Sequence, residues 1–167
     1  MKWNLISLMT KLDFVPEKRL MELYPPFLFM GVKVKKVSPD YRHLHLHLPL
    51  RWYGKNMHGS MFGGFICSVS DPMPVLMCLR LFPDAQAWTK SHLLEFLKPA
   101  RGSLDLKIDI EDEAVERVRA DLDRTGSAHY DFEYRLTDSR NRVVAKVTNS
   151  VYLRIKSGAE SQKKKAS

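Results

Sequence analysis

Residues 56 to 82 constrain the fold more than any other stretch of the chain. Asn56-Met57-His58-Gly59-Ser60-Met61-Phe62-Gly63-Gly64 opens polar and glycine-rich, and the sequence then runs mostly apolar to Leu81-Phe82. Glycines ahead of an apolar run predict a loop feeding a helix that packs on a core. The first turn of such a helix has backbone amides without partners at the positive end of its dipole. Those amides can hold partial negative charge on a carbonyl or a phosphate. Seven residues after Gly64 stands Asp71, the only acid between Glu22 and Asp84 apart from Asp40. An acid inside an apolar helix needs a partner, a solvent pocket or a chemical task. Pro72 and Pro74 follow it, and each removes an amide donor. Either the helix kinks after Ser70, or it restarts with Asp71 as N-cap and Pro72 at the first position.

Size then limits what can surround that helix. The chain has 167 residues, enough for one domain with a sizeable core. Its net charge of +8 would favour an anionic partner. No interleaving of aromatic and basic residues, zinc-finger spacing or recognition helix accompanies that charge, which argues against nucleic acid. Cys67 and Cys78 lie eleven residues apart, about 16 Å if both sit on one helix, too far to bridge. Two free thiols fit a reducing compartment, so a cytoplasmic location is expected, with Cys67 read as a small core residue. No signal peptide is read in the first residues, and no stretch is read as long enough to span a bilayer, so no membrane partner is expected.

Residues 2 to 23 carry apolar positions at helical spacing (Trp3, Ile6, Met9, Leu12, then Leu20 and Leu23), predicting amphipathic helix that Tyr24-Pro25-Pro26 ends. Val32 and Val34 alternate with Lys33 and Lys35, and Leu44, Leu46, Leu48 and Leu50 alternate with His43, His45 and His47. Both are strands with one buried face. The three histidines share a strand face with no acid or cysteine near them in sequence, so a solvent-facing or interface row is expected and no metal. After the central helix come strand candidates at 87–97, 103–110, 127–137 and 142–155, with a charged helix at 111–123 between the second and third. The last strand turns Val143, Ala145, Val147, Asn149, Val151 and Leu153 one way, with Asn149 the single polar member. Strands around one apolar helix predict an α+β fold with an antiparallel sheet wrapped about that helix. The boundaries expected are a helical segment at 1–26, a domain at 27–156 and a basic tail at 157–167.

Three segments carry a family resemblance: Gly63-Gly64 with Asp71 after six residues, Phe96-Leu97-Lys98-Pro99-Ala100-Arg101-Gly102, and Val143-Val144-Ala145-Lys146. In that order they resemble the hotdog-fold acyl-CoA thioesterases, in particular the phenylacetic-acid-pathway type, over roughly residues 30 to 155. The resemblance implies a hotdog fold and a homodimer or dimer of dimers, with acyl-CoA sites between subunits and no cofactor. It implies that the amides of Gly64 and Phe65 polarise the thioester carbonyl and that Asp71 is base or nucleophile. Asn56 would orient water or hold the helix entrance, and Gly63, Lys98 and Arg101 would contact substrate, the two cations at the CoA phosphates. Two departures stand out: Phe62 occupies the place of the family's usual histidine, leaving His58 as a candidate substitute, and two prolines follow Asp71 closely. A hotdog protein that binds acyl or CoA ligands without turnover is the alternative.

Overall fold

The computed structural model describes residues 17–156. The expected helix over residues 2 to 16 and the basic tail lie outside them. Two short helices, α1 (Glu17–Leu23) and α2 (Pro25–Met30), lead into a hairpin of β1 (Lys33–Val37) and β2 (His43–Leu48). Pro25 and Pro26 do not end the helical segment as expected. Proline is tolerated in a first turn, and here the pair starts α2, which closes at Gly31 in the left-handed conformation (φ 73°). Phe27 and Met30 are buried in the same core as the sheet, so the segment is continuous with the domain.

The chain then passes a 3-10 turn (Trp52–Gly54) and a loop before entering α3 (Gly63–Ser70) and α4 (Pro72–Leu81). Next come β3 (Ala85–Phe96), β4 (Leu104–Asp109), α5 (Asp112–Thr125), β5 (Ser127–Thr137) and β6 (Val143–Ile155). All six strands form one sheet in the order β1-β2-β4-β5-β6-β3, with every pairing antiparallel. This is the predicted α+β architecture. The inner rows are the predicted ones: Leu44, Leu46 and Leu48 on β2, Leu104, Leu106 and Ile108 on β4, and Val147, Asn149, Val151 and Leu153 on β6 are all buried. Ala114, Val115, Val118 and Leu122 of α5 are buried as well. Cys67 and Cys78 are both free.

The central helix is one kinked unit. Asp71 keeps right-handed helical angles (φ −56°, ψ −50°), its amide reaches the Cys67 carbonyl at 3.0 Å, and its side chain makes no capping bond. Asp71 thus takes the N-cap position before Pro72, as the restart reading expects, but without the side-chain cap, and this break between α3 and α4 is the kink. Taken together, Gly63–Leu81 is a 19-residue helix long and apolar enough to cross a membrane, contrary to the sequence expectation. Part of that apolar surface is covered here: Ile66, Val69, Met73, Met77 and Cys78 are buried in the shared core.

The two sheet edges differ. On β1 the Glu22 carboxylate accepts the Val34 amide at 3.0 Å, with Lys33 and Arg19 at 3.5 and 3.6 Å from its other oxygen. An otherwise unpaired edge donor is thus covered from α1. The other edge is β3, twelve residues long with exposed Leu93 and Phe96 and no proline.

Candidate functional site

The loop before α3 is built on Asn56. Its Oδ1 accepts the amides of His58 (2.9 Å) and Ser60 (3.2 Å), its Nδ2 donates to Ser60 Oγ (2.9 Å), and its own amide donates to the Ser60 carbonyl (2.7 Å). A short amide side chain folding back on its neighbours' backbone fixes such a turn. Gly59, at φ 74°, takes the one position in this loop where a side chain would be strained. Met61 then donates to the Ala100 carbonyl at 2.8 Å, so the Lys98-Pro99-Ala100 segment backs the loop. Between them runs an open groove of about 450 Å³, lined by Asn56, Met61, Gly63, Ile66, Phe96 and Lys98.

Gly63 and Gly64 form the first helical turn, and their amides have no backbone acceptor among the described residues. The Phe65 amide is already donated to the Phe62 carbonyl at 3.0 Å. The glycines are needed for close approach: a Cβ on Gly63 would lie 2.9 Å from the Phe96 ring, and one on Gly64 would collide with the Phe62 ring. Lys98 belongs to the groove, whereas Arg101 and His58 are exposed and outside its lining.

Asp71 sits at the kink, half-buried, with no hydrogen bond to its carboxylate among the described residues. The backbone around it is held by side chains from the sheet. Pro74 has no amide for the Ser70 carbonyl, and the Tyr134 hydroxyl donates to that oxygen at 2.9 Å instead. Asn149 Nδ2 donates to the Asp71 carbonyl at 3.1 Å and lies 3.1 Å from His92 Nδ1. His92 Nε2 is 3.2 Å from Ser70 Oγ, whose own hydrogen points to the Ile66 carbonyl at 2.8 Å. Burial lowers the His92 pKa, and the nearby Asp71 charge opposes that shift. Burial also raises the Tyr134 phenol. The Ser70–His92 pair has the contact of a nucleophile and its base, but Ser70 is fully buried and no substrate reaches it. Cys78 is likewise inert, its thiol pushed up to about 12 by burial.

The sequence marked Asn149 as an oddity but missed His92 and Tyr134. A bulge between Thr89 and Ser91 changes the parity of β3, so that His92 and Leu94 follow Ala85, Ala87 and Thr89 inward. No residue in the sequence announces that bulge. The histidine row differs from its expectation too. Asp105 and Asp109 of β4 come opposite it, with His43 Nδ1 2.7 Å from Asp109, and His45 Nε2 and His47 Nδ1 at 2.8 and 3.3 Å from one Asp105 oxygen. The acids absent from the local sequence arrive by strand pairing; no metal-holding cluster is found among the described residues.

A family described as a domain of unknown function (DUF4442) matches residues 17–153. Among curated proteins, none matches the chain. The fold is similar to that of Pseudomonas aeruginosa PA5026, described as "Probable Thioesterase", at TM-score 0.76 and 21% identity over 85% of this chain and 97% of that one. It is similar also to Escherichia coli PaaI of the phenylacetic acid degradation operon (TM-score 0.60, 16% identity, 83% and 89% covered). A mutant of the Staphylococcus aureus thioesterase SAV0944 aligns at TM-score 0.59 and 9% identity over 76% of this chain and 96% of that one. The match over residues 17–153 makes the chain a member of the DUF4442 family, and the sheet order and these likenesses give it the hotdog fold.

Proposed function

We propose that the protein hydrolyses an acyl-CoA thioester at a site shared by two copies of the chain. The observation that carries this reading is a separation. Unspent amides stand at Gly63, which lines the groove, and at Gly64 beside it, and an uncapped carboxylate stands at Asp71 on the same helix. Seven residues of helix put them about 10 Å apart, too far for both to touch one scissile bond. A two-fold axis reverses one helix against the other and brings the Asp71 of one copy toward the glycine pair of its partner. The open β3 edge is where such a pairing would form.

In this reading the thioester carbonyl sits against the Gly64 amide, joined by Gly63 or by the Phe65 amide once it leaves the Phe62 carbonyl. Asp71 takes a proton from water, the water oxygen bonds the carbonyl carbon, and the C–S bond breaks to release CoA thiolate. Asp71 acting as nucleophile would bond the carbonyl carbon as the C–S bond breaks and CoA thiolate leaves, giving an acyl anhydride that water then opens to the free acid and the Asp71 carboxylate. Asn56 shapes the loop that presents the helix start. Lys98, on the groove, would meet phosphates of the CoA moiety, with Arg101, outside the groove lining, as a second cation for them.

The alternative, acyl or CoA binding without turnover, has one observation in its favour. The Phe62 ring lies over Gly64 and the Phe65 amide is occupied, so the helix start is partly covered. Thiol release from a panel of acyl-CoAs separates the two. Wild-type turnover reduced about 100-fold or more by Asp71→Asn supports hydrolysis. Saturable binding with no thiol release from the wild type supports the alternative and rejects the enzyme.

A further inference from the structure

We propose that His92 is a positioning residue for Asp71: held between Ser70 and Asn149 as a neutral imidazole, it keeps the Asn149 amide on the Asp71 carbonyl and so sets where the kinked helix presents the carboxylate. This rests on the hydrolase reading for its catalytic consequence, but the network stands on geometry alone.

The hydrogen-bond directions leave one arrangement. The Asp71 carbonyl only accepts, so the Asn149 group facing it at 3.1 Å is Nδ2–H. The same nitrogen is 3.1 Å from His92 Nδ1, which must then accept. Ser70 Oγ spends its hydrogen on the Ile66 carbonyl, so at 3.2 Å it accepts from His92 Nε2–H. His92 is therefore the Nε2–H tautomer, and its burial favours the neutral form.

The cost of the arrangement shows at the other end of the amide. Asn149 is fully buried, and its Oδ1 has no hydrogen-bond partner among the described residues. Rotating the amide by half a turn would set Oδ1 against the Asp71 carbonyl, two acceptors facing one another. That rotation becomes favourable only when His92 gains a proton at Nδ1 and needs an acceptor. Protonating His92 thus withdraws a bond from the helix kink at Asp71. The charged or titratable groups around the network are Asp71 itself, Cys67 one turn earlier and Tyr134 of β5. Asp71 favours the proton on His92 and burial opposes it, with burial the larger effect.

The test uses the full-length chain labelled with nitrogen-15 and carbon-13. Imidazole spectra at neutral pH, with the His92 signals identified by their loss in His92→Gln, are expected to show a proton on Nε2 alone. On acidification the Asn149 side-chain amide and the Asp71 backbone amide should shift at the same midpoint as His92. An Nδ1–H tautomer, an imidazolium at neutral pH, or an Asn149 amide indifferent to the titration would overturn the inference. In thiol-release assays His92→Gln is expected to lower kcat about 10- to 100-fold with KM nearly unchanged; wild-type kcat would reject the positioning role while leaving the hydrolase intact. Should the wild type release no thiol, the hydrolase reading has failed. Positioning is then read from the Asp71 carboxyl carbon resonance, which moves in His92→Gln if the inference holds and stays if it does not. If His92→Gln does not fold, Asn149→Ser supplies the kcat and Asp71 carboxyl comparisons, and the His92 signals are assigned in the wild type by through-bond correlation.

Discussion

The Ser70 carbonyl shows how a single residue can decide whether the central helix is tolerable. Pro74 deprives it of its helical donor, and the Tyr134 hydroxyl replaces that donor from the sheet. Tyr134→Phe leaves a buried acceptor unpaired and should cost about 1–3 kcal/mol, read as a drop in denaturant midpoint at unchanged slope. A midpoint equal to wild type would mean that the hydroxyl is not what holds the kink. His92 carries a pH signature at the same scale. Its folded-state pKa lies below the ordinary 6.5 because the imidazole is buried neutral. Its contribution to stability is therefore fully present above that ordinary value and is lost as pH falls through the lowered one. Denaturation midpoints across mildly acidic pH should fall more steeply for wild type than for His92→Gln; parallel curves would contradict the sign.

Whole elements explain what could and could not be read in advance. β2, β5 and β6 alternate without interruption, so their buried rows were legible from period two alone. The central helix was legible as a helix with a problem, because Gly63-Gly64, Asp71, Pro72 and Pro74 each have a definite backbone consequence. What the prolines produced was not legible, since the donors that make a kink acceptable are Tyr134 and Asn149, more than sixty residues away. β3 hid its most useful side chain for a local reason: the bulge between Thr89 and Ser91 reverses parity, and His92 turns inward. The histidine row of β2 was read as solitary because its acids lie on β4, paired only by the sheet register. Burial raises the Asp105 pKa, but the hydrogen bonds and charges of His45 and His47 outweigh it and leave the carboxyl below its ordinary value. Its stabilising effect is present above the ordinary carboxylate range and lost as pH falls through the lowered value. Asp105→Asn should consequently lower thermal stability at neutral pH and narrow the difference from wild type in strong acid; a gap that stays constant with pH would remove this pair from the account.

For the molecule as a whole, the asymmetry between its edges matters most. One is covered by Glu22 of α1, and the other, twelve residues of β3, is open among the described residues, beside exposed Leu93, Phe96 and Leu97. An uncovered edge of that length invites a second chain. The proposed chemistry requires one as well, because donors and carboxylate are too far apart on a single helix. Sedimentation of the full chain should give at least twice the monomer mass at micromolar concentration; a monomer there would leave each site without its other half.

Complementation between two inactive variants tests the shared site most directly. Asp71→Asn removes the carboxylate, and Gly64→Leu fills the helix start where the Phe62 ring already lies. Each alone should be inactive on an acyl-CoA that the wild type cleaves. Mixed by co-expression, half the dimers pair one chain of each kind, and in these one of the two sites joins an intact Asp71 to an intact glycine pair. The account predicts that the mixture recovers about a quarter of wild-type turnover. A mixture as inactive as its components, with mixed dimers shown to be present, would contradict it.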